Sequence, residues 1–543
     1  MPIPAGRTIQ TSTTFPDLSN PDFHVHHAKP SGSGRAWHDG CTMTAQSTSR
    51  ANRMPLLAWL LLALSAAWCV VWFVHALGYW EDDAWIHLVF ARSVASGQGF
   101  AFNGRVVYGD TSPLWMGLLA AFHAVIPDWM SAGKTLAALA AVFALRGAYF
   151  FSRSLVGEKL SAAQSNVFAA MMVLVLVTNP YFGYWAFSGM EALAAAGLVC
   201  WGLVAAKRAE ASAGYFLVAC GIAGIAPLLR PEMSIFCVLL MLLLGYGFLR
   251  NAEMRRRWGV MLTGIVLAGT PAIAWAMYAL RTFGMVVPNT NGAKRAAPGD
   301  SVAMRVLHLY TLGFPLAVFG WSLLTGWVVW MLLRRKQNQI LPTLGLLSLT
   351  GWLLLVWTKL NGWFYVLDHT FVQTRYIFVT APVLTIAILA LGAMRWPKLY
   401  RVGVIFGVVF GIATSLLAPW NLIHNKVQVD RDYADLAAYV RTLPPDAAVA
   451  NYSIGESGFF SEHTIVDTGG ITRPGAIPFM FDVTDARMLA WIRSQGAGYW
   501  VIDHQPEPGA VLVWSRDIPE TGWYLNPSRY KGTERLQLWK LAK

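Results

Sequence analysis

The chain has 543 residues, of which 55% are hydrophobic and 13% charged, and its formal net charge is +13. A soluble domain of this size cannot bury that much apolar surface, and several apolar runs exceed the roughly 18 residues that read as a membrane helix. The basic residues lie in short clusters between those runs, which is a topology signal and argues against nucleic-acid binding.

In chain order, residues 1–53 are rich in Ser, Thr, Pro, Gly and His, and read as a disordered tail. His24, His26 and His27 belong to that tail rather than to a metal site, and Met43 offers an alternative start. The first apolar run, 55–79, follows Arg50 and Arg53. It is too long for a signal-peptide core and no small-residue cleavage site follows, so it reads as an uncleaved helix with a cytoplasmic N-terminus. Further runs cover 134–152, 163–179, 191–206, 213–229, 232–249, 258–280, 308–333, 340–358, 376–394 and 401–419, which predicts eleven membrane helices. Of the five cysteines, Cys69, Cys200, Cys220 and Cys237 lie inside apolar runs and Cys41 in the tail, so neither a disulfide framework nor a zinc site is expected.

With the first helix running outward, the inside loops hold Arg153 and Lys159, Lys207 and Arg208, Arg250 with Arg255 to Arg257, Arg334 to Lys336, and Arg395, Lys398 and Arg401. Each carries at least two cations, as the positive-inside rule requires. The segment 113–127 is too short to span comfortably and reads as interfacial within a first outer loop, 80–133. The remainder divides into a membrane domain, 54–419, and an extracytoplasmic domain, 420–543. In the latter, DRDYADLAAYVRTL and ARMLAWIRSQG read as helices, and AVANYSI, GYWVIDH and RLQLWKL as strands, which predicts a small α/β fold.

This topology collects polar residues at the outer face. The first outer loop supplies Glu81, Asp82, Asp83, His87 and Asp110, and the next supplies Tyr184 and Glu191. LLRPEM supplies Arg230 and Glu232, and the later loops supply Asn289, Lys294, Arg375 and Tyr376. Cations there suit a lipid-linked phosphate, and an acid suits proton removal from an acceptor hydroxyl. Arg230, beside a proline and sunk between apolar runs, stands out from interfacial anchors. Asp82 and Asp83 diverge by about 100° on a helix and cannot both face one cavity, whereas Asp83 and His87, four apart, could pair. The outer tyrosines and tryptophans read mainly as an aromatic belt.

EDDAWIHLVFAR, GQGFAFN, GDTSPLW, NPYFGYWAFSGMEA, LLRPE, VPNTNGAK, TRY and IGESGFFSEHTIVDTGGITRP follow one another in order. With these motifs the chain resembles the GT-C superfamily of polyprenyl-phosphate-sugar glycosyltransferases, and most of all the branch with mycobacterial terminal arabinofuranosyltransferases. The resemblance covers about residues 55 to 475. It implies a membrane enzyme that moves a sugar, such as arabinofuranose, from a polyprenyl-phosphate donor to an envelope glycan or protein. It also implies a place in the bacterial cell (inner) membrane, with the C-terminal domain periplasmic or extracellular. Asp82, with its neighbour Asp83, and Glu191 take the catalytic acid positions. Arg230, Lys294, Arg375 and Asn289 take the donor-phosphate positions. Glu81, His87, Asp110, Tyr184, Glu232 and Tyr376 are then the acceptor and sugar pocket. Asp110 departs from the Tyr or Phe that relatives often carry there. No cofactor or metal site is required, although a divalent cation is compatible with the chemistry. The competing class is a transporter or flippase for a lipid-linked sugar, which internal repeats would favour; the two halves show no such similarity.

Overall fold

The computed structural model describes residues 54–290, 292, 315–333, 341–360, 378–417, 419–461, 463–480, 485–518 and 535–542. The N-terminal tail, Lys294, Arg375 and Tyr376 lie outside the described residues.

Each of the eleven predicted apolar runs holds a helix. These are α1 (Leu56–His75), α4 (Trp129–Val156), α5 (Ala162–Val177), α7 (Ala192–Ala209), α8 (Ala213–Leu229), α9 (Met233–Arg250), α10 (Trp258–Phe283), α11 (Pro315–Leu333), α12 (Leu341–Leu360), α13 (Ala381–Arg395) and α14 (Pro397–Leu417). Among the described residues six helices are long and apolar enough to cross a membrane, and a seventh if α5 is joined to the short α6 (Pro180–Ala186). That pair is bent by 73°. The bend has a local cause: Asn179 caps Tyr181 N at 2.9 Å and Pro180, at the first helical position, cannot extend the preceding helix.

The first outer loop folds as two helices, α2 (Asp82–Ala95) and α3 (Pro113–His123), joined through the small hairpin of β1 (Ala101–Phe102) and β2 (Arg105–Val106). At eleven residues α3 is too short to span. Most of α2 is buried although it is not a membrane helix.

Beyond α14 comes α15 (Pro419–Val440), whose Lys426, Asp430, Asp432 and Asp435 are unsuited to hydrocarbon. It leads into a five-stranded sheet of β3 (Ala448–Asn451), β4 (Thr464–Asp467), β5 (Ala497–Val501), β6 (Val511–Asp517) and β7 (Arg535–Lys540), in the order β4-β3-β5-β7-β6. β3 runs parallel to β4 and β5, and β7 antiparallel to β5 and β6. The sheet packs with α17 (Ala486–Ser494) around Ala450, Val466, Met488, Ile492 and Trp500. The expected strands at β3, β5 and β7 are present, while β4, β6 and the helix α16 (Ile454–Phe460) were not expected from sequence.

α16 ties this sheet region to the helical bundle. Trp85 of α2 packs its ring against Phe459 and Phe460. Arg92 of α2 donates to the last carbonyls of α16, Gly458 O and Phe459 O, both at 3.0 Å. A cation at a helix C-terminus both satisfies those carbonyls and meets the negative end of the dipole.

Candidate active site

The start of α2 is the point on which the buried polar side chains converge. Asp82 and Asp83 sit in its first turn, where carboxylates are stabilised by the helix dipole. Glu81, just before it, accepts from Tyr79 Oη and Tyr184 Oη at 3.0 Å each, and its own N–H donates to Ser188 O at 3.0 Å. Tyr184 is thus a buried hydrogen-bond donor and not part of an aromatic belt.

One turn along α2, His87 bridges two carboxylates. Its Nδ1 lies 2.5 Å from Asp110 Oδ2 and its Nε2 lies 3.0 Å from Glu191 Oε2. Both ring nitrogens donate only in the imidazolium. Burial alone would lower its pKa, but Asp110 and Glu191 outweigh this and raise it to about 10. The expected Asp83–His87 pair does not take this place. The two acids come from the α2–α3 connection and the start of α7, so the partners are 23 and 104 residues distant. Glu191 continues the chain through Oε1, 2.6 Å from Arg230 Nη1, and Arg230 Nε lies 2.6 Å from Glu232 Oε1. Burial would raise the Glu191 pKa, yet Arg230 and His87 hold it well below the usual carboxylate range. Asp110, Glu191, Arg230 and Glu232 are all buried. Arg230 was expected to hold the donor phosphate, but its guanidinium is held between two carboxylates. Glu81, His87, Asp110, Tyr184 and Glu232, expected as a sugar pocket, are buried and fall into two hydrogen-bonded groups, Glu81 with Tyr184, and His87 with Asp110 and, through Glu191 and Arg230, Glu232.

A second cluster lies where α15 and α16 meet α2. Lys426 Nζ sits 2.8 Å from Asp430 Oδ1 and 2.7 Å from Glu456 Oε1. The Glu456 carboxyl faces that of Asp82, and Asp430 also receives Trp80 N at 3.3 Å. Gly455 makes this approach feasible, because a Cβ there would stand 2.4 Å from Asp82 O. Burial, followed by the Glu456 charge, holds the Asp82 carboxyl well above its ordinary range. Lys426, Asp430 and Glu456 escaped the sequence reading, although Glu456 falls inside the quoted IGESGFF motif. Lys134 was missed too: buried in α4, it donates to Ala76 O at 2.8 Å, Phe187 O at 2.6 Å and Tyr79 O, and so fixes the turn that leads into α2.

Two further segments pack onto the strip that carries Asp110. Asn289 is half-buried and its N–H donates to Tyr108 O at 2.9 Å, which brings its loop to the Tyr108–Asp110 strip. On the same strip, Gly109 lies against Thr472 and Ile471 O of the sheet region. Asp467 shapes that loop, accepting from Gly469 N at 2.7 Å and from Thr472 N at 2.5 Å. Among the described residues no group of three or more His, Cys, Asp or Glu is arranged for a metal ion, and Lys426 fills the position between Asp430 and Glu456 that a cation would take.

Comparison with solved structures defines the fold. ArnT from Cupriavidus metallidurans bound to undecaprenyl phosphate matches with a TM-score of 0.52, covering 83% of this chain and 97% of that one at 14% identity. The apo form of ArnT gives 0.50 over 82% and 96%, also at 14%. At that identity the likeness is one of fold: the chain is a multi-pass membrane protein with the GT-C fold. By sequence it is 29% identical over 294 residues to the terminal beta-(1->2)-arabinofuranosyltransferase of Mycobacterium tuberculosis. That match covers 49% of this chain and 44% of the relative, so it spans less than half of the relative's length. No family model matches the chain.

Proposed function

We propose that the protein is a membrane glycosyltransferase that moves a sugar of the arabinofuranose type from a polyprenyl-phosphate donor to an envelope glycan or protein. The observation that carries this is the acidic start of α2 in a GT-C bundle, met by Glu456 of α16 and tied to that helix through Arg92. The acceptor oxygen forms a bond to the anomeric carbon while the bond from that carbon to the phosphate oxygen breaks. The polyprenyl phosphate leaves with the electron pair, and a carboxylate takes the acceptor proton.

Of the three candidate catalytic acids, Glu191 is locked between His87 and Arg230, and the Asp82 carboxyl is turned toward Glu456. Asp83 is half-buried and lies about 100° round α2 from Asp82. It is the acid assigned here to the acceptor proton. Lys294, Arg375 and Asn289 keep their proposed role on the departing phosphate, while Arg230 braces Glu191. A divalent cation is not assigned to any of these residues. The basic loops support an orientation with a cytoplasmic N-terminus and the sheet domain outside. The bacterial cell membrane is the proposed location.

The test is transfer by the purified protein in nanodiscs supplied with synthetic polyprenyl-phosphate sugars and an acceptor glycan. Release of polyprenyl phosphate coupled to a lengthened acceptor is expected. Movement of intact donor lipid across the bilayer without bond cleavage would instead support a flippase.

A further inference from the structure

The half-buried Asp82 and the buried Glu456 turn their carboxyls toward each other at the start of α2, and each has a buried oxygen with no donor. Asp82 Oδ1 and Glu456 Oε2 are both shut off from solvent and unmatched by any hydrogen-bond donor among the described residues. The other Glu456 oxygen takes the Lys426 ammonium at 2.7 Å, and Lys426 is shared with Asp430 at 2.8 Å. Three carboxylates therefore surround one ammonium. Two ionised carboxylates in contact away from water are strongly disfavoured, and one proton between them relieves both the repulsion and the missing donor.

We propose that Glu456 and Lys426, supplied by the C-terminal part of the chain, are positioning residues for the transfer site. One proton held between the Asp82 and Glu456 carboxyls, with Lys426 on Glu456, fixes the first turn of α2 and so aims Asp83. The inference rests on the glycosyltransferase reading for its kinetic consequence only; the shared proton stands on the geometry. The charged and titratable groups facing the pair are Lys426, Asp430 and Tyr433 from α15, Glu456 from α16 and Asp83 from α2 itself. The electrostatics agree in direction. Burial and then Glu456 push the Asp82 carboxyl up, whereas burial of Glu456 is outweighed by Lys426 and by the bond to Asp82, which hold it down.

The proposal has one test without turnover and one with it. Infrared spectra of the full-length protein in nanodiscs, wild type minus Asp82→Asn and wild type minus Glu456→Gln, should both show a protonated-carboxyl band near neutral pH that titrates away in base. In the kinetic arm, Asp82→Asn donates an amide N–H to Glu456 in place of the shared proton. It should lose less than about tenfold in kcat, because it loses neither the general base nor the contact. It should also flatten the alkaline limb of the kcat profile, which in the wild type reports loss of the shared proton. Glu456→Gln should lower kcat by about tenfold or more and leave the donor KM in place, and Glu456→Asp should restore part of the loss. A simple packing role would move neither the pH limb nor kcat alone. The proposal is overturned if no carboxyl band appears in either difference spectrum. It is equally overturned if Asp82→Asn loses the roughly 10²–10⁴-fold expected of a missing general base. If no polyprenyl-phosphate sugar is turned over at all, the glycosyltransferase reading fails, and the infrared result still decides the shared proton.

Discussion

Two buried charge clusters flank α2, and they differ in how their charges are met. In the network through His87, three carboxylates face an imidazolium and a guanidinium, and Ser112 N adds a further donor to Asp110 at 2.8 Å. At Lys426, three carboxylates face a single ammonium, and two oxygens have no donor. The first is made of segments of the helical bundle, while the second joins that bundle to the sheet domain. A well-matched buried network makes a rigid frame, because breaking any pair leaves a desolvated charge. A cluster with an excess of carboxylates must hold a proton, which makes its geometry sensitive to pH and to its neighbours. The comparison assigns the His87 network to scaffolding and the Lys426 cluster to setting the acid end of α2.

The largest effect is expected at the residue assigned to the acceptor proton. Asp83→Asn should lower kcat by about 10²–10⁴-fold. Activity within a few-fold of wild type would return the proton acceptor to Asp82 and erase the division between the clusters. Next comes the scaffold itself. Arg230→Ala leaves Glu232 buried without its cation and Glu191 with His87 alone, a loss of about 3–5 kcal/mol. Thermal unfolding in detergent should show it as a marked fall in midpoint. A stable Arg230→Ala protein with weakened donor binding would restore Arg230 to the phosphate.

Much of this was legible in the sequence, for reasons that can be named. Apolar length and the basic loops located the helices, since both signals are local and accumulate over many residues. β-branched and aromatic runs located β3, β5 and β7. The acids at the start of α2 stood out because carboxylates beside a membrane helix are costly. Pairing was what the sequence concealed. His87 has a local candidate in Asp83, and a helical i,i+4 pair contributes about 0.2–0.5 kcal/mol. The fold instead turns His87 inward to two acids, whose desolvation makes their pairing far more consequential. Glu456 and Lys426 were opaque for the same reason: the approach to Asp82 depends on Gly455 meeting α2 over 370 residues away in the chain. Arg230 illustrates the reverse. Its burial was inferred correctly from the flanking apolar runs, but burial alone does not say which anion meets it.

The two clusters should also separate on a pH axis. The His87 pKa is raised to about 10 from an ordinary value of 6.5. The folded state therefore binds this proton more tightly than the unfolded chain. The stability it contributes is complete below about pH 6.5 and is lost as pH rises toward 10. The slope for one proton is at most about 1.4 kcal/mol per pH unit. His87→Gln should have lower stability near neutral pH and a flatter decline between pH 7 and 10, measured by thermal unfolding across that range. An unchanged slope would mean that His87 is neutral in the folded protein and that the scaffold carries less charge than described.

The smallest effect is the most selective. Gly455 contacts Asp82, and a Cβ would come within 2.4 Å of Asp82 O, 2.8 Å of its Oδ1 and 2.8 Å of Trp85 Cβ. Two of these neighbours are backbone or a Cβ, so they cannot swing aside as a long side chain would. Gly455→Ala should force α16 away from α2, and overpacking of this kind costs about 1–3 kcal/mol. Because α16 also carries Glu456 and the carbonyls that hold Arg92, the strain falls on the Lys426 cluster and leaves His87 with Asp110 and Glu191 untouched. The expected readouts are a modest fall in unfolding midpoint, faster proteolytic release of the sheet domain, a lowered kcat, and a pH–stability slope like that of the wild type. A fall in kcat with the sheet domain still firmly docked would show that the cluster acts on α2 without acting as its clamp. A variant indistinguishable from wild type in all four would show that the start of α2 is held by Lys134 and the His87 network alone.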